Sequence, residues 1–150
     1  MSGEWHVFLG EFAHTLDAKG RVSLPRKHRD EIGSSVVVTK GLEDCLYVYP
    51  VAVHQALVDE LLAPSNFDKN TRRLRHFFIT GASPVDIDSA GRVSIPPVLR
   101  EFARLTKDVV VAGNADHIEL WEPAAWAAYQ QASASTIEDA ADKFAQRGIL

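Results

Sequence analysis

The feature of this sequence that most constrains its fold is an internal duplication. The segment DAKGRVSLP at residues 17–25 returns, 71 positions later, as DSAGRVSIP at residues 88–96. Each copy is followed by a VVV run, at 36–38 and at 109–111. Two copies are too few for a solenoid, which stacks several units to bury a continuous core. We therefore expect a pseudo-two-fold molecule built from two similar halves.

Each copy predicts a tight turn followed by a short strand. Asp favours turns because its carboxylate accepts hydrogen bonds from nearby backbone N–H groups, and Gly supplies the positive φ of a hairpin. Beyond the turn, Val22 and Leu24 alternate with Arg21 and Ser23, which is the period-2 pattern of a half-buried strand. Pro25 and its counterpart in the second copy then fit the first position of a helix, where a missing N–H costs nothing.

The composition allows a folded core and excludes several classes of protein. Of the 150 residues, 46% are hydrophobic, and the formal net charge is −4. No apolar run reaches the roughly 18 residues that a membrane span requires. The N-terminus lacks the basic start and apolar run of a secretory signal. Cys45 is the only cysteine, which excludes an intramolecular disulfide and fits a reducing cytosol.

The sequence offers little support for enzyme chemistry. Its six histidines are scattered, without HxxH or HExxH spacing, and no G-x-S-x-G, Walker A or Rossmann fingerprint occurs. Cys45 lies among apolar strand residues, which favours a core position over a nucleophile. We therefore expect no enzyme, no cofactor and no metal site.

The two copies differ sharply in charge. Residues 17–29 have a net charge of +4, whereas the matching residues 88–100 have a net charge of +1. Purely structural turns would not require this difference, whereas DNA binding needs cations for phosphates and long donors for base edges. We therefore predict a DNA-binding face on the first copy. Its candidate residues are Lys19, Arg21, Arg26, Lys27 and Arg29, of which Lys19, Arg26 and Lys27 are replaced by Ala90, Pro97 and Val98 in the second copy.

Two interpretations of the turn arginines remain open. In one, Arg21 pairs with Asp17, and Arg92 pairs with Asp88, so that both arginines are structural. In the other, Lys19 and Arg21 read DNA, because a β-ribbon is narrow enough to enter the major groove and Arg to guanine is the commonest specific contact. Asp17, Asp88 and Arg92 are accordingly secondary or structural candidates.

Two further groups of cations have weaker functional signals. Arg26, Lys27 and His28 occupy the first turn of a predicted helix, where cations oppose the helix dipole. We predict that they contact phosphates, with a solvated charged face as the alternative. A second basic cluster favours a charged outer face or intersubunit ion pairs with the acidic second half. Its members are Lys69, Arg72, Arg73 and Arg75, with Leu74, Phe77 and Phe78 expected to pack.

Four motifs together resemble the MraZ family, whose members are encoded at the head of the bacterial division and cell-wall gene cluster. They are FLGEFAHTLDAKGRVSLPRKHR, GLEDCLYVYP, GRVSIPPVLR and IELWEPAAW, and the resemblance runs from about Val7 to Tyr129. It implies a mixed α+β, β-rich fold: an AbrB-like swapped-hairpin, or double-split, β-barrel formed by two pseudo-symmetric halves with short helices. It also implies a ring-shaped homo-oligomer of about eight subunits.

The resemblance implies a function as well. It indicates a sequence-specific regulator that binds double-stranded DNA upstream of its own operon, at tandem short repeats, and represses it, in the cytoplasm at the nucleoid. Its turn residues match Lys19 and Arg21 here. The alternative from another class is an oligomeric scaffold for a division or cell-wall factor. Salt separates the two, because phosphate contacts weaken steeply with salt.

We divide the chain into four parts on these grounds. Residues 7–53 form the first SpoVT-AbrB-like half, 54–77 a helical connector, 78–126 the second half and 127–150 a C-terminal helical tail. In the tail, Ser135 and Glu138 match a capping box. Family members commonly begin with Met at the position of Val7. We therefore hypothesise that Val7 is encoded by a GTG start codon, with residues 1–6 extra or poorly ordered.

Overall fold

The computed structural model describes residues 7–65 and 67–150, and its elements follow the duplication. Eight strands occur in this part of the chain: β1 Glu11–Thr15, β2 Arg21–Ser23, β3 Ser35–Lys40, β4 Leu46–Pro50, β5 Ser83–Asp86, β6 Arg92–Ser94, β7 Asp108–Asn114 and β8 His117–Trp121. Six α-helices accompany them: α1 Arg26–Ile32, α2 Val51–Leu61, α3 Lys69–Arg75, α4 Pro97–Phe102, α5 Pro123–Ala134 and α6 Ile137–Gln146. A short 3₁₀ turn spans Leu42–Asp44, and a π-helical segment, His76–Thr80, continues α3. The chain therefore folds as a mixed α+β molecule with two repeated halves.

The two halves exchange their first strands. The larger sheet has the order β1-β7-β8-β4-β3-β5, and all of its pairs are antiparallel. Thus β1 of the first half pairs with β7 of the second, and β5 of the second pairs with β3 of the first. The remaining strands, β2 and β6, pair with each other in a two-stranded ribbon. The predicted pseudo-two-fold arrangement is therefore confirmed, with each half completing the other's sheet.

The ribbon is anchored in the hydrophobic core. Val22 and Leu24 of the first half and Val93 and Ile95 of the second are at most 1% exposed. They belong to the same buried cluster as the sheet residues Val36, Val38, Leu46, Val48, Val111, Ile118 and Leu120. Arg21 and Ser23 are half-buried on the opposite side of β2, as the alternation predicts. Because burying each aliphatic side chain contributes about 1.5–3 kcal/mol, the core holds the ribbon and the turns beside it.

Two local predictions are wrong. Pro25 and Pro96 lie one residue before α1 and α4, with ψ of 136° and 145°, so they are extended residues that precede the helix. In the tail, Ser135 has helical dihedrals at the end of α5, and α6 starts after Thr136. Ser135 therefore cannot cap α6, and no capping box forms with Glu138.

Two further observations concern the start of the chain and the length of its helices. The hypothesis of a start at Val7 concerns residues 1–6, which lie outside the described residues. In the part of the chain that the structure covers, no helix combines the length and the hydropathy needed to cross a bilayer.

Candidate nucleic-acid interface

The first turn, residues 17–21, is built by the hydrogen bonds of one carboxylate. Asp17 Oδ1 accepts from the backbone N–H groups of Lys19 and Arg21, both at 2.9 Å. The backbone N–H of Asp17 donates to the carbonyl oxygen of Arg21, also at 2.9 Å. Gly20 has a φ of +76°, which favours glycine. Asp17 and Gly20 therefore fix the backbone path that places Lys19 and Arg21 side by side.

The second turn, residues 88–92, repeats this geometry. Asp88 Oδ1 accepts from the backbone N–H groups of Ala90 and Arg92 at 2.9 Å, and Gly91 has a φ of +78°. The same groups donate and accept hydrogen bonds in both turns, but Ala90 stands where the first turn has Lys19. The two backbones are therefore alike, and the charge of the side chains distinguishes them.

Both turn arginines bind their own aspartate. Arg21 Nε donates to Asp17 Oδ2 at 2.7 Å, and Arg92 Nε donates to Asp88 Oδ2 at 2.8 Å. Hydrogen bonds lower the pKa of Asp17 to about 2. The bond from the backbone N–H of Arg21 has the largest effect, followed by those from the Arg21 side chain and the Lys19 backbone N–H. The pKa of Asp88 is lowered in the same way by Arg92. The structural pairing is thus present in both halves, although the Arg21 side chain remains 28% exposed.

The two turns lie next to each other because of the ribbon. In the pairing of β2 with β6, Arg21 lies opposite Ser94, and Ser23 lies opposite Arg92. Arg92 Nη1 comes within 3.7 Å of Asp17 Oδ2, so an ion pair links the second half to the first turn. Residues of both halves therefore stabilise the first turn, which has the additional positive charge.

A second pair of arginines crosses between the halves. Arg29 Nε donates to the Leu24 carbonyl oxygen and Arg100 Nε donates to that of Ile95, both at 2.9 Å. The guanidinium of Arg100 lies against Gly20, while that of Arg29 lies against Gly91 of the other turn. Sequence reasoning overlooked Arg100 as a site residue. The available signal was its place at the same offset from its proline as Arg29, in both copies.

The remaining predicted DNA contacts are exposed. Lys19, Arg26 and Lys27 are all exposed to solvent, and Arg26 and Lys27 are the first residues of α1, which is separated by two residues from the end of the ribbon strand β2. Lys27 Nζ lies 5.7 Å from the centre of the Phe12 ring, a cation–π contact that restrains its stem. At the position of Lys27 the second half has Val98, which is 70% exposed. The same scaffold position is thus cationic in one half and apolar in the other.

His28 cannot contact phosphate, so that expectation is wrong. Its side chain is 1% exposed, between the edges of the Phe8 and Phe12 rings at 5.2 and 5.6 Å between ring centres. Within residues 7–65 and 67–150, neither ring nitrogen has a hydrogen-bond partner of standard geometry, although the Leu9 backbone is near enough to favour the protonated ring. Burial, and then the nearby charge of Lys27, lowers the pKa of His28 from its ordinary value. The second half has Leu99 at this position, 3% exposed, so the site is a core position on both sides.

The second basic cluster lies on α3, which is separated in sequence from both strands of the ribbon. Lys69, Arg72 and Arg73 are exposed, whereas Arg75 Nε donates to the Leu61 carbonyl oxygen at 3.0 Å. Leu74 is 42% exposed rather than packed. Of the aromatic residues expected to pack here, Phe78 is buried and Phe77 is half-buried. Most of the cationic side chains of this cluster are therefore solvated, while Phe78, which follows α3, is buried in the fold.

The thiol and the carboxylate that could support other chemistry are both buried in the fold. Cys45 is 1% exposed, and burial raises the pKa of its thiol, as expected of an inert core cysteine. Glu119 is mostly buried and accepts hydrogen bonds from Asn114, His117 and Trp121. No group of three or more potential metal-ligating side chains occurs among residues 7–65 and 67–150.

Known proteins match this chain over most of its length. The two halves, residues 7–77 and 78–147, each match the family described as "MraZ protein, putative antitoxin-like". A transcriptional regulator MraZ from Halothermothrix orenii is 40% identical over 143 residues, covering 95% of this chain and 100% of the relative. Proteins of the same name from Natranaerobius thermophilus and Limosilactobacillus fermentum are each 39% identical, covering 91% and 92% of this chain and 96% of each relative. The relatives are named as transcriptional regulators, a non-enzymatic class, and the duplicated chain described above belongs to the MraZ family.

Proposed function

We propose that this protein is a sequence-specific DNA-binding transcriptional regulator whose first turn reads base edges. The observation that carries the proposal is an uneven distribution of charge over two nearly identical turns. Lys19 has Ala90 as its counterpart, and Lys27 has the exposed Val98. Nothing in the shared hydrogen bonding requires the lysines, whereas phosphate and base contacts do. The names of the relatives, all transcriptional regulators, support the same function.

The bond between Arg21 and Asp17 is compatible with base reading. Arg21 gives its Nε to Asp17, and its side chain is 28% exposed. A guanidinium has further N–H donors on its terminal nitrogens. Holding Nε orients the planar group before DNA arrives, which reduces the entropy lost on binding. Asp17 is thus a positioning partner for Arg21, and the two interpretations of the arginine combine into one.

The other candidates take supporting roles in this proposal. Arg26 and Lys27, exposed at the start of α1, contact phosphates on either side of the groove. Arg29 adds positive charge while its Nε holds the Leu24 carbonyl oxygen. Asp88 and Arg92 keep the second turn folded beside the first.

The finer points of function and assembly are part of the proposal. The chain regulates its own operon as a repressor, at the nucleoid, by binding tandem short repeats. The exchanged strands and the ribbon form an AbrB-like swapped-hairpin barrel, bounded by residues 7–53 and 78–126, with 54–77 connecting them and 127–150 as the tail. About eight chains form a ring. One ribbon contributes few base contacts, each good bidentate pair being worth about 1–3 kcal/mol of discrimination, so several linked subunits supply the rest through avidity.

The experiment that tests the proposal measures the affinity for DNA upstream of the chain's own gene and for scrambled DNA of equal length. Both are measured at two salt concentrations. We expect tighter binding to the upstream DNA and a steep loss of affinity with salt. Equal affinity for both DNAs would contradict specific recognition. No measurable binding to either DNA would favour the protein-binding scaffold instead.

A further inference from the structure

The contact of Arg100 with the first turn extends the proposed function to the second half. Arg100 lies on α4, and its Nε donates to the Ile95 carbonyl oxygen at 2.9 Å. A Cβ atom added to Gly20 would lie 2.7 Å from Arg100 Cζ and 2.9 Å from its Nε. The guanidinium therefore lies directly against the backbone of Gly20, the residue between Lys19 and Arg21.

A backbone hydrogen bond holds the same glycine. The Ile95 N–H donates to the Gly20 carbonyl oxygen at 2.9 Å. Ile95 itself is 1% exposed, and its own carbonyl oxygen accepts from Arg100. Gly20 is thus held by Ile95, the buried residue that follows β6, and by Arg100, which is hydrogen-bonded to Ile95. Movement of Arg100 would free one side of the turn that carries Lys19.

The reciprocal contact provides an internal comparison. Arg29 of α1 lies against Gly91 of the second turn, and its Nε donates to the Leu24 carbonyl oxygen. The two arginines therefore have the same geometry, but Arg100 supports the turn with Lys19, and Arg29 supports the turn with Ala90. Any effect particular to Arg100 must come from the turn it supports.

We propose that Arg100 is a positioning residue for DNA recognition, which fixes the first turn so that Lys19 and Arg21 meet base edges in register. This inference rests on the proposed function. A guanidinium is needed because it is planar, covers the glycine and donates through Nε, whereas a lysine offers a single ammonium on a flexible stem. In this proposal the second copy supports the first turn and also contributes to the core.

The test compares Arg100→Lys with Arg29→Lys, two changes that keep the charge and remove the planar group. For each we measure the ratio of affinities for upstream and scrambled DNA. We expect Arg100→Lys to lower this ratio about tenfold, because a shifted turn forfeits part of a bidentate base contact. Its affinity for scrambled DNA and its salt dependence should stay unchanged, since the charge remains. Arg29→Lys keeps the positive charge that Arg29 adds to the DNA-binding face, and it alters only the support of the second turn, which reads no bases in this proposal. Its loss of ratio should therefore be clearly smaller than that of Arg100→Lys.

A measurement without DNA separates positioning from recognition. The NMR order parameters of the Lys19 and Gly20 amides should fall below the rigid value of about 0.85 in Arg100→Lys and stay high in Arg29→Lys. If Arg100→Lys fails to fold, Arg100→Gln replaces it: its amide can still donate from the position of Nε but lacks the Cζ and Nη1 atoms that lie against Gly20, so the same loss of ratio is expected. Equal changes in the two arginine variants, or an unchanged first turn, would overturn the inference. If wild-type protein does not distinguish the two DNAs, the proposed function fails, while the order parameters still decide whether Arg100 holds the turn.

Discussion

The first and second turns have nearly the same hydrogen bonds and different surroundings. In each, an aspartate accepts two backbone N–H bonds and one arginine Nε. Around the first turn lie exposed lysines, and at matching places of the second lie Ala90 and the exposed Val98. The comparison separates two demands on the same motif. The bonds that both turns share maintain the fold, and the charges that only one turn has are available for a ligand.

The largest difference between the turns should appear on loss of their arginines. Arg21→Ala removes a proposed base contact, so specific affinity should fall by more than about tenfold per DNA box and further through lost avidity. Arg92→Ala removes the equivalent Asp88 bond and the 3.7 Å contact with Asp17, and should weaken binding much less. Titration of each variant with upstream DNA measures the difference, and thermal unfolding of both controls for folding. Similar losses of affinity in two folded variants would show that both turns contact DNA.

A smaller effect is expected when the charges of the turns are exchanged. The double variant Lys19→Ala, Lys27→Val gives the first half the residues of the second. The slope of log affinity against log salt should become shallower by about 1, because loss of Lys27 removes one phosphate contact worth about 0.9, while loss of Lys19 removes a base contact and lowers specificity. The reverse variant, Ala90→Lys with Val98→Lys, should leave the slope unchanged if the second face points away from DNA. A slope that steepens in the reverse variant would place both faces on the duplex.

The buried position on α1 allows a comparison of stability. His28→Leu installs the residue type of the second half at a buried site where, in the part of the chain that the structure describes, both imidazole nitrogens lack a hydrogen bond of standard geometry. We expect a net gain of about 1 kcal/mol, because an unpaired buried polar group costs about 1–3 kcal/mol and the lost ring contacts offset part of this. At this chain length the melting temperature should rise by about 2–4 °C. Leu99→His is the matched control and should lower it.

The same pair predicts a pH dependence with a definite sign. Burial lowers the pKa of His28 in the folded chain below its ordinary value of 6.5. Below that pH the unfolded chain binds the proton more readily, so stability falls as the pH drops. The difference in unfolding free energy between His28→Leu and wild type should therefore grow from pH 7 to pH 5. A constant difference would mean that His28 does not titrate on unfolding.

The smallest effect concerns the residues that follow α1 and α4. Gly33 has a φ of +91°, and its counterpart Arg104 has a φ of +57° without being glycine. Arg104→Gly removes a left-handed strain of about 1–2 kcal/mol but makes the unfolded chain more flexible, which costs about 0.4–1 kcal/mol. Denaturant unfolding should show a net gain between about 0 and 1.6 kcal/mol, which is the difference between these two ranges. Gly33→Ala should be destabilising, and stabilisation by that change would contradict the comparison.

Short-range features of the fold were predictable from the sequence, and long-range contacts were not. The spacing of Asp17 and Gly20 predicts the turn, and the alternation of Val22 and Leu24 predicts the buried face, because these depend on neighbouring residues. The capping prediction at Ser135 failed because Ser135 terminates α5 in a helical conformation and Thr136 is the residue that precedes α6, which local residue preferences do not reveal. The burial of His28 depends on rings from Phe8 and Phe12, which lie far along the chain.

The candidate site divides in the same way. The charge difference is visible in the sequence, so Lys19, Arg21, Arg26 and Lys27 could be proposed from it. The crossing of Arg100 onto Gly20 joins residues 80 positions apart and follows from the pairing of β2 with β6. No periodicity encodes that contact. Only the spacing of an arginine after each proline, repeated in both copies, indicated that the two arginines share a role.

The exchange of first strands has a consequence for synthesis of the chain. Thr15 of β1 lies opposite Asp108 of β7, so the N-terminal strand waits for a partner made late. The edge of β3 likewise stays open until β5 has left the ribosome. Contacts of such long sequence separation slow folding, and unpaired strand edges invite pairing with other chains. We therefore expect a nascent or truncated first half to aggregate more readily than the folded chain, because the partners of β1 and β3 are absent until residues 83–114 have been made.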